Sequence, residues 1–173
     1  MAKEVINFYS NLIGTVDPSV KAIDPSFTKT ILNFNLSYEA SSSLVKEIIV
    51  EEIKDAIFDQ ENEKAPGPDS YSPIFFKKAW NIVGKDVIVA VNHFFSNVAL
   101  IPAFNSTVVA LAPKIPNPSS VKDFEPISCC SVIYKSISKI LVKRLTEVLP
   151  DIISLNQTAF IRGRNIVDNT LLA

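Results

Sequence analysis

Thr107-Val108-Val109-Ala110-Leu111-Ala112-Pro113-Lys114 opens the stretch whose reading decides the fold. Thr107 to Leu111 is β-branched and apolar, which reads as a short strand, and Ala112-Pro113-Lys114 ends it. Residues 115–120 hold two prolines among small polar residues and read as a turn. Asp123-Phe124-Glu125-Pro126-Ile127-Ser128-Cys129-Cys130 follows. An extended piece from Phe124 to Ile127 would complete a hairpin. Pro126 has no N–H to give a ladder, so that piece is expected at an edge or irregular. Ser131 to Leu149 is the clearest helix. Ile133, Ile137, Ile140, Leu141, Leu145 and Val148 form its apolar stripe, and Lys135, Lys139 and Lys143 fall every four residues along another face. Pro150 is expected to end it. The stretch closes on Asn156-Gln157-Thr158-Ala159-Phe160-Ile161-Arg162-Gly163-Arg164-Asn165-Ile166-Val167-Asp168-Asn169. Asn165, Asp168 and Asn169 have the character of capping residues.

Upstream, Lys64-Ala65-Pro66-Gly67-Pro68-Asp69-Ser70 reads as a rigid loop, since two prolines fix φ around a glycine that lets the chain bend. Before it, a helix is expected from about Leu44 to Asp59. Ile49, Ile53 and Ile57 repeat every four residues, with Glu52, Lys54 and Asp55 facing water. After it, Ser72-Pro73 is a helix start, with Ser as cap and Pro in the first turn. Phe75, Phe76, Ala79 and Trp80 follow, then Val87, Val91, Phe94, Phe95 and Val98 at helical spacing. Aromatics so spaced belong to a core, although exposed ones could stack on bases. His93 sits at the boundary of that face. Lys3 to Ile13 is a short helix with Val5, Phe8, Tyr9 and Leu12 on one side and Gly14 as its stop. Thr15 to Ser43 shows no sustained period and is expected to be poorly structured.

The 173 residues are 47% hydrophobic and 20% charged, a globular composition with room for one sizeable core. No apolar run is long enough to suggest a membrane span, and the first residues lack the apolar core of a signal peptide. The two cysteines, Cys129 and Cys130, are adjacent and imply no disulfide framework. A reducing intracellular compartment is expected, nucleus or cytoplasm. A single histidine makes a zinc site improbable. The net charge of −1 is unevenly spread. Residues 1–103 carry 9 Lys against 13 acids, and residues 104–173 carry 5 Lys and 3 Arg against 5 acids. Any nucleic-acid surface should lie in the second part, where an ordinary solvated surface is the rival reading.

In order and spacing, the Lys64–Ser70 loop, the strand ending in Lys114, the Asp123–Cys130 segment, the lysine-studded helix and the Arg162-Gly163-Arg164 element resemble the fingers region of a reverse transcriptase. The resemblance is to LINE-type (non-LTR) retroelement polymerases of the plant-like kind. The loop resembles the family's Lys-Ala-Pro-Gly-Pro-Asp-Gly, with Ser70 at the usual glycine. The resemblance implies an α+β fold class, a mainly helical fragment with a short β-hairpin. It divides the chain into a variable lead-in over residues 1–43 and a partial reverse-transcriptase domain over residues 44–173.

It also implies roles. Lys114 matches the lysine that contacts the phosphates of the incoming nucleotide, and a flexible ammonium suits that task. The rival reading is a solvated strand-end lysine. The second phosphate contact is usually an arginine, and Glu125 stands in its place. A unit-charge pair about 4 Å apart at an effective dielectric near 20 is worth roughly 4 kcal/mol, so the exchange turns an attraction into a comparable repulsion. Arg162, Gly163 and Arg164 match the element along the template path, or else form a polar turn. Gln157 and Phe160 are expected to fix that loop. Lys135, Lys139 and Lys143 are candidate contacts to nucleic acid. The implied partner is an RNA/DNA template-primer, with no membrane and no small-molecule cofactor. Two-metal polymerases need carboxylates that hold Mg²⁺. The family's Tyr/Phe-Ala-Asp-Asp motif is missing from this sequence, which has no Asp-Asp pair. Mg²⁺ is therefore expected only for a complete family member, and no catalytic residue is assigned. The resulting expectation is a truncated RNA-directed DNA polymerase domain, inactive alone and marginally stable without the palm and thumb. The alternatives are a non-catalytic nucleic-acid-binding module and a decayed fragment without function.

Overall fold

The structure is a computed structural model that describes residues 2–20, 24–32, 35–154, 157, 161, 163 and 164. It is mainly helical, with one two-stranded antiparallel sheet, and so has the expected α+β class. Two compact units share the chain. One comprises Met1–Asn33 and Val109–Ser128, the other Phe34–Val108 and Cys129–Ala173. The division expected between residues 43 and 44 falls inside a helix.

In the first unit, helix α1 (Ala2–Ile13) forms where the apolar spacing predicts it. Tyr9 is its buried residue, and its hydroxyl donates to the Phe124 carbonyl at 3.1 Å. Leu12, expected on the same face, is exposed. A second helix, α2 (Pro25–Leu32), interrupts what was expected to be irregular chain. The local signal is Asp24, whose carboxylate accepts the Ser26 N–H at 2.9 Å just ahead of the first turn. Most of the hairpin also belongs here. Strand β1 (Thr107–Pro113) pairs with β2 (Phe124–Cys130), and a 3-10 turn at Val121–Asp123 precedes β2. Strand β2 runs past Ile127, and with only two strands its Pro126 has an edge available to it.

In the second unit, α3 (Tyr38–Val45) starts on Ser37, whose hydroxyl accepts the Ala40 N–H. It is the other helix in the stretch expected to lack one. The helix expected from Leu44 to Asp59 is broken. Helix α3 ends at Val45, and α4 (Val50–Phe58) starts after an extended Ile49. Ile53 and Ile57 are buried, whereas Ile49 is exposed. Helix α5 (Pro73–Lys78) begins with Pro in its first turn, but Ser72 makes no side-chain cap bond. Ala79 separates it from α6 (Trp80–Asn97). The expected apolar residue Val98 lies outside α6. It is 85% exposed, in left-handed backbone at φ 53, a poor place for a β-branched side chain.

Helix α7 (Val132–Thr146) runs through the centre of this unit against α4 and α6. Ile133, Ile137 and Ile140 join Ile53, Ile57, Phe76, Val87 and Val91 in one apolar cluster. Burial of each such side chain stabilises by about 1.5–3 kcal/mol. Leu141 and Leu145 are not in that cluster. They flank it and line an open groove with Ile48 and Phe95. Pro150 does not end α7. The helix stops at Thr146, and Pro150 sits in the first turn of the short α8 (Leu149–Ile152), where its missing N–H costs nothing.

The Lys64–Ser70 loop is pressed against the start of α7. A Cβ on Gly67 would lie 2.5 Å from Ser131 N and 2.7 Å from the Cys130 carbonyl carbon, so only hydrogen fits there. Ser70, where the resembled loop has glycine, sits at φ 61. Among the described residues, no helix is long and apolar enough to cross a membrane.

Candidate nucleic-acid interface

The hairpin fixes the surroundings of Lys114 and Glu125. The Lys114 N–H donates to the Asp123 carbonyl at 2.7 Å, which sets these two residues opposite each other. Two residues further along β2, Glu125 faces Ala112. Alternation then puts Lys114, Asp123 and Glu125 on one side of the ribbon. Lys114 and Glu125 are both exposed. The Asp123 carboxylate accepts the backbone N–H groups of Ser119 (2.9 Å) and Ser120 (2.8 Å). Those two bonds, helped by the Lys114 charge, hold its carboxyl below the ordinary aspartate range. Among the described residues, Lys114 thus has the Asp123 carboxylate near enough to feel its charge, with Glu125 on the same side of the ribbon two residues further along. A triphosphate approaching Lys114 would meet more negative than positive charge.

The lysine ridge on α7 is partly engaged within the fold. Lys135 Nζ donates to the Ala65 carbonyl at 2.7 Å, tying α7 to the Lys64–Ser70 loop. Lys139 lies 3.9 Å from Asp59 in an exposed pair, an arrangement worth less than about 1 kcal/mol. Lys143 is exposed at the far end of the ridge.

Beside them is a cation that the sequence reading did not single out. Arg144 carries the α7 stripe onward from Ile133, Ile137 and Ile140 at helical spacing, and its side chain is 10% exposed. Its Nε and one Nη2 hydrogen bond Glu52 through both carboxylate oxygens, each at 2.9 Å. Its other donors reach the carbonyls of Leu44 (3.0 Å), Lys46 (2.7 Å) and Glu47 (3.3 Å). All five guanidinium donors are used. The Arg144 hydrogen bonds, against some desolvation, hold the Glu52 carboxyl below its ordinary range. Glu52 was expected to face water and instead faces this arginine. The signal available in the sequence was an arginine in register with a buried isoleucine stripe.

At the C-terminal element, Gly163 is in left-handed backbone at φ 81, the turn geometry glycine favours. The Arg164 guanidinium donates to the carbonyls of Pro150, Ile153, Ser154 and Gln157 at 2.6–2.9 Å. Arg164 thereby organises the turn after α8, and Gln157 takes part through its backbone. Arg162, Phe160, Asn165, Asp168 and Asn169 lie outside the described residues.

Among the described residues, no group of three or more His, Cys, Asp or Glu side chains could hold a metal ion. The hydrogen-bonded carboxylates Glu52 and Asp123 are held by a guanidinium and by backbone N–H groups. The donor set of a two-metal centre does not fit these residues.

No protein-family model matches the chain. The chain is similar to the uncharacterized 149 kDa protein of transposon TX1 from Xenopus laevis, with 28% identity over 166 residues. Those residues make up 96% of this chain and 12% of that protein, so the likeness is to a small part of a much longer transposon protein.

Proposed function

We propose that the chain is a segment of a retroelement protein, specifically the fingers region of a LINE-type reverse transcriptase, which contacts template and nucleotide while other parts of such a protein supply the chemistry. The observation that carries this reading is the match to a transposon protein along nearly the whole chain. The hairpin bearing Lys114 at its tip and the glycine-wedged Lys64–Ser70 loop support it. On this reading the segment has a weakened nucleotide contact, because Asp123 and Glu125 share a hairpin side with Lys114.

The test is a chimera in which this segment replaces its counterpart in an active polymerase of the proposed family. The unmodified chimera is expected to use nucleotides poorly. Glu125→Arg is expected to lower the Michaelis constant for nucleotide, because it removes a repulsion and adds a forked donor. That gain should fade when Lys114→Ala is added. Equal activity with and without Glu125→Arg would show that the hairpin does not meet the nucleotide. The segment by itself is expected to give no templated synthesis with Mg²⁺ or Mn²⁺, because the carboxylate set is missing from its residues.

A further inference from the structure

Among the described residues, three further surfaces stand out beside the hairpin and the α7 ridge. The groove beside Leu141 and Leu145 has nothing to say what fills it. The free edge of β1 is apolar but has no marked occupant. The third is an aromatic stack outside the core. Tyr71 and Phe75 lie nearly parallel, with ring centroids 4.4 Å apart and planes at 27°, and both are exposed, at 48% and 38%. Phe76 is buried beneath them and meets each ring edge-on, at 6.2 and 5.3 Å. The pair therefore stands on the core and does not float on a loop.

The chain upstream holds this stack in place. Gly67 abuts the α7 N-terminus, Lys135 grips Ala65, and the Ser70 N–H closes a turn onto the Gly67 carbonyl at 3.0 Å. Ser70 then takes a left-handed backbone and delivers Tyr71 onto Phe75. Strained backbone is retained only where its surroundings enforce it. Of the nearby lysines, Lys64 pairs with Glu61 at 3.9 Å, and Lys77 donates to the Gln60 carbonyl and to Asn62. The Asp69 carboxylate accepts the Tyr71 N–H at 3.3 Å. Lys78 is exposed one helical turn after Phe75.

We infer that Tyr71 and Phe75 form a stacking platform for an unpaired base of single-stranded nucleic acid, with Lys78 close enough to meet the adjacent backbone phosphate. A rigid, exposed aromatic face beside a cation suits a base because every base offers a π-face, so the contact carries little sequence preference. The inference rests on the proposed function for the class of partner and names the surface that would take it.

The experiment measures fluorescence anisotropy of a labelled single-stranded uridine RNA of roughly 12 nucleotides titrated with the purified chain. Tyr71→Leu and Phe75→Leu keep an apolar side chain but remove a π-face, and each is expected to weaken binding about tenfold. Tyr71→Trp is expected to retain binding. An abasic strand of the same length should bind weakly and ignore all three substitutions. Matching thermal melts check that the variants stay folded. Unchanged affinity in the leucine variants, or an abasic strand bound as tightly as the RNA, would overturn the platform while leaving nucleic-acid contact intact. Failure of the parent chain to bind any strand would overturn the platform and the proposed function together. Self-association that the leucine variants abolish, with RNA affinity unchanged, would assign the face to a second copy of the chain.

Discussion

Arg144 on α7 and Lys114 on the hairpin are both single cations in the basic part of the chain, and their surroundings are opposite. Arg144 is nearly buried, and every donor it has is matched to an oxygen. Lys114 is exposed at a strand end beside Asp123 and Glu125. The first holds the fold together, and the second is free to meet a ligand but is electrostatically compromised. Charge counted along the sequence therefore overstates the charge offered to a partner. Arg144, Arg164 and Lys135 are directed at the protein's own oxygens.

Substitutions test this contrast. The largest effect is expected from Arg144→Ala, which strands the Glu52 carboxylate and frees three carbonyls. A loss of about 3–5 kcal/mol in urea unfolding is expected. Arg144→Lys should recover little, because an ammonium cannot reproduce the fork. A loss below about 1 kcal/mol would put Arg144 in the same class as an ordinary surface cation.

Gly67→Ala should cost about 1–3 kcal/mol, since the new methyl meets backbone and cannot be accommodated by a side-chain rotation. Thermal melting of the two proteins measures it. A neutral result would mean that the loop is not pinned to α7.

A smaller effect concerns pH. The folded carboxyl of Glu52 titrates below its unfolded counterpart, so its contribution to stability is complete above the ordinary value near 4.5 and is lost as pH falls through the folded value. Glu52→Gln should flatten the fall in stability on acidification below about pH 4.5. Parallel acid profiles for the two proteins would break the assignment. Lys114→Ala should change stability least, by less than about 0.5 kcal/mol, as expected of a cation outside the packing. A larger loss in chemical unfolding would mean that Lys114 holds the hairpin together and is not free.

Much of this fold was legible. The β-branched run at Thr107–Leu111 is a strand, the isoleucine spacing after Ser131 marks α7, and the Lys64–Ser70 loop is neither helix nor strand. The break between α3 and α4 was not legible. No Pro or Gly marks it, and there Arg144, distant in sequence, draws the carbonyls of Leu44, Lys46 and Glu47 to itself. Glu52 was misread for the same reason, since an acid on an amphipathic helix faces water unless a distant partner recruits it. Helices α2 and α3 begin at local caps, Asp24 and Ser37, which a search for apolar periodicity passes over. At the candidate site, Lys114 and Glu125 were suggested by the resemblance alone, and the position of Asp123 beside Lys114 required the register of the hairpin. The left-handed backbone at Ser70 was hinted at by the glycine that the resembled loop has there, whereas the stacking of Tyr71 on Phe75 just after it was not legible.

The contact of Gly67 with Ser131 also bears on the order of folding. It joins segments far apart in the chain, and the whole of α5, α6 and the hairpin lies between them. Closing so long a loop is entropically costly and must precede any gain from the close fit. The packing of α4 against α7 closes a still longer loop, so the glycine wedge can form once those helices have condensed and then adds little closure cost of its own. Gly67→Ala would then act mainly by speeding unfolding and would leave the folding rate nearly unchanged.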